Sequence, residues 1–244
     1  MDRNMERLST GVPGIDKLIE GGIPDGFSVL VSGAPGTGKT ILGIQFIHEG
    51  VKRGEPGIYV SFEQFREDII KQAEQFGLID IRNDKLFSLL SVKHKDIQGF
   101  MNYLKDEIEA KKAKRLVLDS LSVISVYTNI MEDPDHIKLM DLSVDIHSRI
   151  AMDPEQYRKQ TIYHLLSKIK SLGVTSLIIS EQLEPDKLTR DEVSEFACDG
   201  VVVFKKVMIG KDVIRSVTVE KLRQTNINAG THNMEFTENG IVVK

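Results

Sequence analysis

Apolar residues in this chain fall into short continuous runs that alternate with longer, striped segments. Ser28–Ser32, Gly57–Ser61, Leu86–Leu90, Leu116–Leu118, Ser176–Ser180 and Gly200–Phe204 are runs of strand length and are predicted as strands. Lys39–Lys52, Arg66–Phe76, Gln98–Lys112 and Pro154–Ser171 lie among them as predicted helices. The clearest is Lys39–Lys52, where Ile41, Leu42, Ile44, Phe46 and Ile47 recur at helical spacing with no proline until Pro56. Such alternation predicts a parallel sheet covered by helices. The end of the chain differs. Ile214–Val219, Thr231–Phe236 and Gly240–Val243 are short and β-rich, with Glu238-Asn239-Gly240 as a tight turn. The expected fold is α/β: a mostly parallel twisted sheet flanked by helices and finished by antiparallel strands. Tyr127–Met152, interrupted by Met131-Glu132-Asp133-Pro134-Asp135, reads as helical or mobile.

Composition adds bounds. At 244 residues, with 41% hydrophobic and 28% charged positions, the chain is ordinary for a soluble globular protein. It contains no evident linker, repeat or low-complexity tract, so 1–244 is expected to form one domain. A net charge of −4 does not advertise nucleic acid, although it leaves room for a local basic patch. The single Cys198 excludes an internal disulfide and reads as a buried structural thiol. The polar start, Met1–Arg7, lacks the apolar core of a signal peptide, and no apolar run approaches a membrane span. The expectation is a cytoplasmic protein with no membrane partner.

Candidate chemistry concentrates in Gly33-Ala34-Pro35-Gly36-Thr37-Gly38-Lys39-Thr40, which matches the phosphate-binding P-loop pattern without a mismatch. Its glycines let successive backbone N–H groups turn inward onto a polyphosphate. Lys39 supplies a point charge to the β- and γ-phosphates, and the Thr40 hydroxyl can ligate Mg²⁺. The loop lies between a predicted strand and a predicted helix, whose N-terminus adds roughly half a positive charge. A site for ATP or ADP with Mg²⁺ follows as an expectation.

Two further strands end in carboxylates. Leu116-Val117-Leu118-Asp119-Ser120 places Asp119 where P-loop enzymes hold Mg²⁺; Asp119 or Ser120 as a helix N-cap is the plainer reading. Ile58–Gln64 ends in Glu63, expected beside the P-loop, where it can orient or deprotonate the attacking water. An exposed loop glutamate is the alternative. Ser176–Gln182 delivers Ser180, Glu181 and Gln182 as candidate sensors of the γ-phosphate.

The stretch Leu8–Pro24 leading to the P-loop, together with Phe62-Glu63, Leu118-Asp119-Ser120, Phe196-Ala197-Cys198-Asp199-Gly200 and Glu220-Lys221-Leu222-Arg223, resembles the KaiC-like ATPases of the RecA superfamily. That group contains the cyanobacterial clock protein and the RadA recombinases. The resemblance covers nearly the whole chain as one KaiC-type domain. It implies a RecA-type core assembled into a ring, commonly a hexamer, with ATP at subunit interfaces. It also implies that Glu63 is the catalytic glutamate and that Lys221 and Arg223 form the K-x-R motif reaching the neighbouring subunit's nucleotide. Residues two apart on a strand share a face, so both cations can point at one γ-phosphate; otherwise they are two solvated residues on an edge strand.

Departures from the pattern limit what carries over. Gln64 stands where clock-type domains often have a second carboxylate, Gln224 replaces a glycine, and Ile227 replaces a histidine for which His232 is wrongly spaced. The clock protein has two such domains, so autophosphorylation and timing are not part of the expectation. Three functions compete. A slow ring ATPase acting as a switch on a protein partner is favoured. A nucleic-acid-dependent ATPase is disfavoured by the acid-rich Met131–Asp153 and Glu184–Glu195. An autokinase has no serine or threonine placed beside the phosphate. Lys111-Lys112-Ala113-Lys114-Arg115 is the best basic cluster, expected to be a solvated set of helix-dipole partners.

Overall fold

The computed structural model describes residues 5–78, 85–91, 97–122, 153–182 and 187–244; Tyr127–Met152 and part of Glu184–Glu195 lie outside the described residues. The chain runs β1 (Arg7–Leu8), α1 (Pro13–Leu18), β2 (Ile23–Pro24), β3 (Ser28–Gly33), α2 (Lys39–Lys52), β4 (Gly57–Ser61), α3 (Arg66–Gln75) and β5 (Phe87–Ser91). It continues as α4 (Ile97–Lys111), β6 (Arg115–Asp119), α5 (Pro154–Ser171), β7 (Thr175–Glu181), α6 (Ser194–Ala197), β8 (Gly200–Ile209), β9 (Asp212–Leu222), β10 (Thr231–Thr237) and β11 (Gly240–Val243). Among the described residues, nine strands form one sheet in the order β11-β10-β9-β8-β3-β7-β6-β4-β5. From β8 to β5 every pair is parallel, and β8 through β11 pair antiparallel. The α/β fold expected from the hydrophobic pattern is the one observed.

The inner strands β3, β4 and β6 are buried at every position because both sheet faces are covered. Val29 and Val31 belong to one core with Leu42, Phe46 and Tyr59. Leu30 belongs to the opposite core with Leu104, Ile108, Ile162 and Leu166. The period of two along β3 thus feeds two separate layers. Helix α2 lies close on the sheet because of Gly43: a Cβ there would sit 2.9 Å from Val117 Cγ1 and 3.1 Å from Tyr59 Cε2. Its far face is pinned to β11, where Gln45 accepts from Ile241 N at 2.8 Å.

Several features differ from the sequence expectation. Chain order is not spatial order: β7 and β6 lie between β3 and β4, so Glu63 shares the P-loop's sheet edge without being its immediate neighbour. Strand β8 runs on to Ile209 and pairs with β9 along its whole length, although residues 205–209 are exposed. The basic cluster is not a solvated face throughout. Arg115 is fully buried, with NH2 2.6 Å from Glu55, NH1 donating to Ser9 O and Phe46 O, and its guanidinium over the Phe46 ring at 4.5 Å. A cation at the start of a strand buried on both faces must be neutralised inside the protein. Cys198 is buried, and loss of solvent pushes its thiol up to about 12, as expected of a structural cysteine.

Candidate functional site

Parallel strands bring their carboxyl ends to one edge, and the site is built there. Gly33 is level with Glu181 of β7 and Phe204 of β8; Asp119 of β6 is level with Ile179 of β7 and Ser61 of β4. The 33–40 loop leaves β3 and enters α2 through Gly36 (φ 75°) and Gly38 (φ 110°), left-handed conformations that a Cβ disfavours. Gly33 is required for another reason: a Cβ would lie 2.4 Å from Phe204 O. The loop's interior is closed by its own polar groups. Lys39 Nζ donates to Gly33 O at 2.7 Å and Ala34 O at 3.1 Å, and Thr37 Oγ1 donates to Ala34 O at 2.8 Å. Burial lowers the Lys39 pKa, and the negative charges of Glu181, Asp119 and Glu63 oppose that shift. Of the three candidate sensors, Glu181 is therefore coupled electrically to the loop lysine. Gln182 is coupled mechanically, its N–H donating to Gly33 O at 3.1 Å.

Asp119 lies beside the loop. Its Oδ2 accepts from Thr40 Oγ1 at 2.8 Å and from the buried Tyr59 hydroxyl at 2.6 Å. Burial raises its pKa, while the hydroxyls of Tyr59 and Thr40 pull it back by favouring the ionised form. The same burial and the adjacent Asp119 charge hold the Tyr59 phenol well above its ordinary value, so it acts as a donor. The Asp119–Ser120 peptide is cis, and Ser120 Oγ donates to Glu63 Oε1. Ser120 thus links Glu63 to the strand end that carries Asp119, and it stands directly before helical residues 121–122. Lys39, Thr40, Asp119 and Glu63 are brought together.

Lys221 and Arg223 are not part of this cluster. Leu222 is level with Gly200, and Gly200 with Val29, four residues before Gly33 and hence about 13 Å along the strand. Lys221 Nζ donates to Glu195 O at 2.8 Å, and Arg223 NH1 to Asp199 Oδ1 at 3.0 Å. Burial lowers the Lys221 pKa, with the Arg223 charge adding to the effect. Both cations lie over the 195–199 segment, at the amino end of β8, whereas Gly33 is level with Phe204 midway along that strand.

Three contributors went unseen in the sequence. Tyr59 is a polar tip inside an apolar strand, a signal that was legible in principle. Phe236 of β10 covers the loop: a Cβ on Gly38 would meet its ring at 2.7 Å, and the Arg215 guanidinium stacks on that ring at 4.4 Å. Lys206 of β8 reaches over the loop to Pro35 O at 3.3 Å. Lys206 comes from β8, which pairs directly with β3, and Phe236 from β10, two strands beyond β8; both are far from the loop in sequence, so no local pattern marks them. An open cavity of about 250 Å³ lies against Gly36, Gly38, Lys39, Thr40, Gln64 and Phe236.

A strand–glycine loop–helix on the carboxyl edge of a parallel sheet, with a carboxylate from a second strand on the loop threonine, defines a RecA-like P-loop fold. The family model described as ATPase: KaiC matches residues 8–140 and 125–244, and the chain belongs to the KaiC ATPase family. The circadian clock oscillator protein KaiC of Parasynechococcus marenigrum (strain WH8102) is 30% identical over 253 residues, covering 98% of this chain and 45% of that protein. The chain spans about half the length of these clock relatives. A UPF0273 protein of Thermotoga maritima is 29% identical over 258 residues and matches nearly end to end, 98% and 96%. The crystal structure of the KaiC-like protein PH0186 from Pyrococcus horikoshii OT3 superposes with a TM-score of 0.80 at 29% identity, covering 98% of this chain and 99% of that one. No helix among the described residues is long and apolar enough to cross a membrane.

Proposed function

We propose that residues 1–244 act as one KaiC-type domain that binds ATP with Mg²⁺, hydrolyses it slowly to ADP and phosphate, and assembles into a ring that switches a protein partner. The observation that carries this reading is the contact of Thr40 with Asp119, with Glu63 tied to the adjoining Ser120. One hydroxyl and one carboxylate, both hard oxygen donors, fit a magnesium ion that takes its remaining ligands from phosphates and water. Among the described residues no group of three or more His, Cys, Asp or Glu side chains is arranged to hold a metal ion; Thr40 and Asp119 would hold Mg²⁺ together with the phosphates and water. When bound, Mg²⁺ neutralises charge on the β- and γ-phosphates.

The chain's own residues divide the remaining work. The loop N–H groups and the N-terminus of α2 cradle the phosphates, and Lys39 neutralises them. Glu63 takes a proton from water as its oxygen bonds to the γ-phosphorus; the bond to the bridging oxygen breaks and ADP leaves with its charge. Lys221 and Arg223, remote from their own loop, serve the site of an adjoining copy. Glu181, beside Lys39 and Gly33, senses the loss of the γ-phosphate. The test is nucleotide-dependent assembly by light scattering alongside phosphate release, with and without DNA. Turnover indifferent to DNA and accompanied by assembly is expected. DNA-stimulated release would move the protein to the nucleic-acid class, labelled phosphate retained on the chain to the autokinases, and absence of ATP binding would remove the proposal.

A further inference from the structure

Phe65 and Phe196 are the most exposed aromatic side chains among the described residues, at 75% and 72%. Scattered apolar residues on a surface need no explanation, but these two flank the separated halves of the proposed shared site. Phe65 is the residue before α3 and two positions beyond Glu63, at most about 7 Å along the chain. Phe196 is tied to the two cations: its carbonyl accepts from Arg223 NH2 at 3.3 Å, and the preceding Glu195 carbonyl accepts from Lys221. Whatever Lys221 and Arg223 approach, Phe196 approaches with them.

Charge sorts the two surfaces. Glu63, Glu67 and Asp68 lie within three positions of Phe65 along the chain, while Arg66 is turned to Leu89 O at 3.2 Å. Beside Phe196, Lys170, Lys221 and Arg223 converge on Asp199 and on the Glu195 and Phe196 carbonyls, an excess of cations over the acids Glu195 and Asp199. An excess of negative charge along the segment of one bare phenylalanine and of positive charge beside the other, placed apart on one molecule, fit a head-to-tail contact between copies. We propose that Phe196 of one copy docks against Phe65 of the next, as the apolar anchor of the interface that carries Lys221 and Arg223 to the neighbouring P-loop. This assignment rests on the ring reading above and names the contact that would hold it.

The test uses a double variant that keeps both rings, Glu67→Cys with Glu195→Cys, treated with a short bis-maleimide in ATP and Mg²⁺; Cys198 is buried and does not compete. A ladder of covalently joined chains from the double variant, and none from either single variant, is expected. Assembly by light scattering without a ladder, or a ladder from a single variant, would overturn the contact. Independently, Phe196→Asp is expected to weaken assembly about 100-fold while leaving P-loop nucleotide binding intact. Assembly that ignores the substitution removes the anchor and keeps the ring, whereas a wild-type chain that stays monomeric with nucleotide at every concentration removes the ring itself.

Discussion

Tyr59 and Thr40 act on the same carboxylate oxygen of Asp119. Burial favours the protonated acid and the two hydroxyls favour the anion, and a metal ligand must be the anion. Tyr59→Phe removes one donor and keeps the ring that packs in the core. The Asp119 pKa is then expected to rise further, so the pH midpoint of Mg²⁺-dependent ATP binding moves upward, with a loss of about 2 kcal/mol for a hydrogen bond to a charged group. A midpoint unchanged in a titration of fluorescent ATP would show that the carboxylate does not meet the metal. Glu63→Gln keeps the shape and an acceptor for Ser120 but no proton acceptor of useful basicity. Binding within a few-fold of wild type with turnover lowered by about 10²–10⁴ is expected in a phosphate-release assay; full turnover would assign water activation elsewhere. Asp119 and Glu63 were legible because one ends an apolar strand and the other follows one closely. Their linkage by Ser120 was not, since serine after aspartate equally suits a helix cap.

The elements around the site make separate predictions. Gly38 combines φ 110° with Phe236 packed where a Cβ would stand. Gly38→Ala therefore strains the backbone and pushes β10 off the loop, and is expected to cost about 2 kcal/mol, a fall in Tm of about 4–8 °C for a chain this size. Adding Phe236→Ala relieves the clash but not the dihedral, so thermal unfolding should show only partial recovery; recovery to wild type would mean the dihedral costs nothing. Asp199 joins β8 to α5 and to the end of β9, accepting from Ser28 N, Lys170 and Arg223. Burial pushes its pKa up, but these hydrogen bonds outweigh burial and hold it below the ordinary value. A depressed folded pKa stabilises the protein above the unfolded value of about 3.9, and that stability is lost as pH falls through the folded pKa. Asp199→Asn is expected to be less stable at neutral pH and to show a flatter acid limb in urea unfolding between about pH 5 and 2. A parallel acid limb would leave Asp199 without this role.

At the scale of the molecule, the separation of Lys221 and Arg223 from their own loop makes a prediction that only an assembly can satisfy. Arg223→Ala alone is expected to reduce turnover by about 10³-fold, the low end for a trans arginine in related phosphoryl transfer. Lys39→Ala alone is expected to abolish it. Mixing the two inactive proteins creates interfaces where an intact loop meets an intact arginine, so phosphate release returns in part. No return at any ratio would confine each residue to its own chain.

Local pattern determined a good deal by itself. Apolar runs against helical stripes are read over a few residues, so strands, helices and the alternating α/β architecture followed from the sequence, as did the glycine spacing of the P-loop. Arg115 marks where that reading stopped. In a basic run it looks solvated, and only the pairing of β6 between β4 and β7 puts it inside, against Glu55 and Phe46. The strand order likewise decided that β7 stands next to the P-loop strand, that Tyr59 meets Asp119, and that Phe236 and Lys206 from the antiparallel end cover the loop. Hydrophobic periodicity states which face of a strand is buried, but it carries no information about which strand lies alongside. That choice is made by long-range pairing and by the packing of helices on both faces, and it is the tertiary structure that turned separate strand ends into one site.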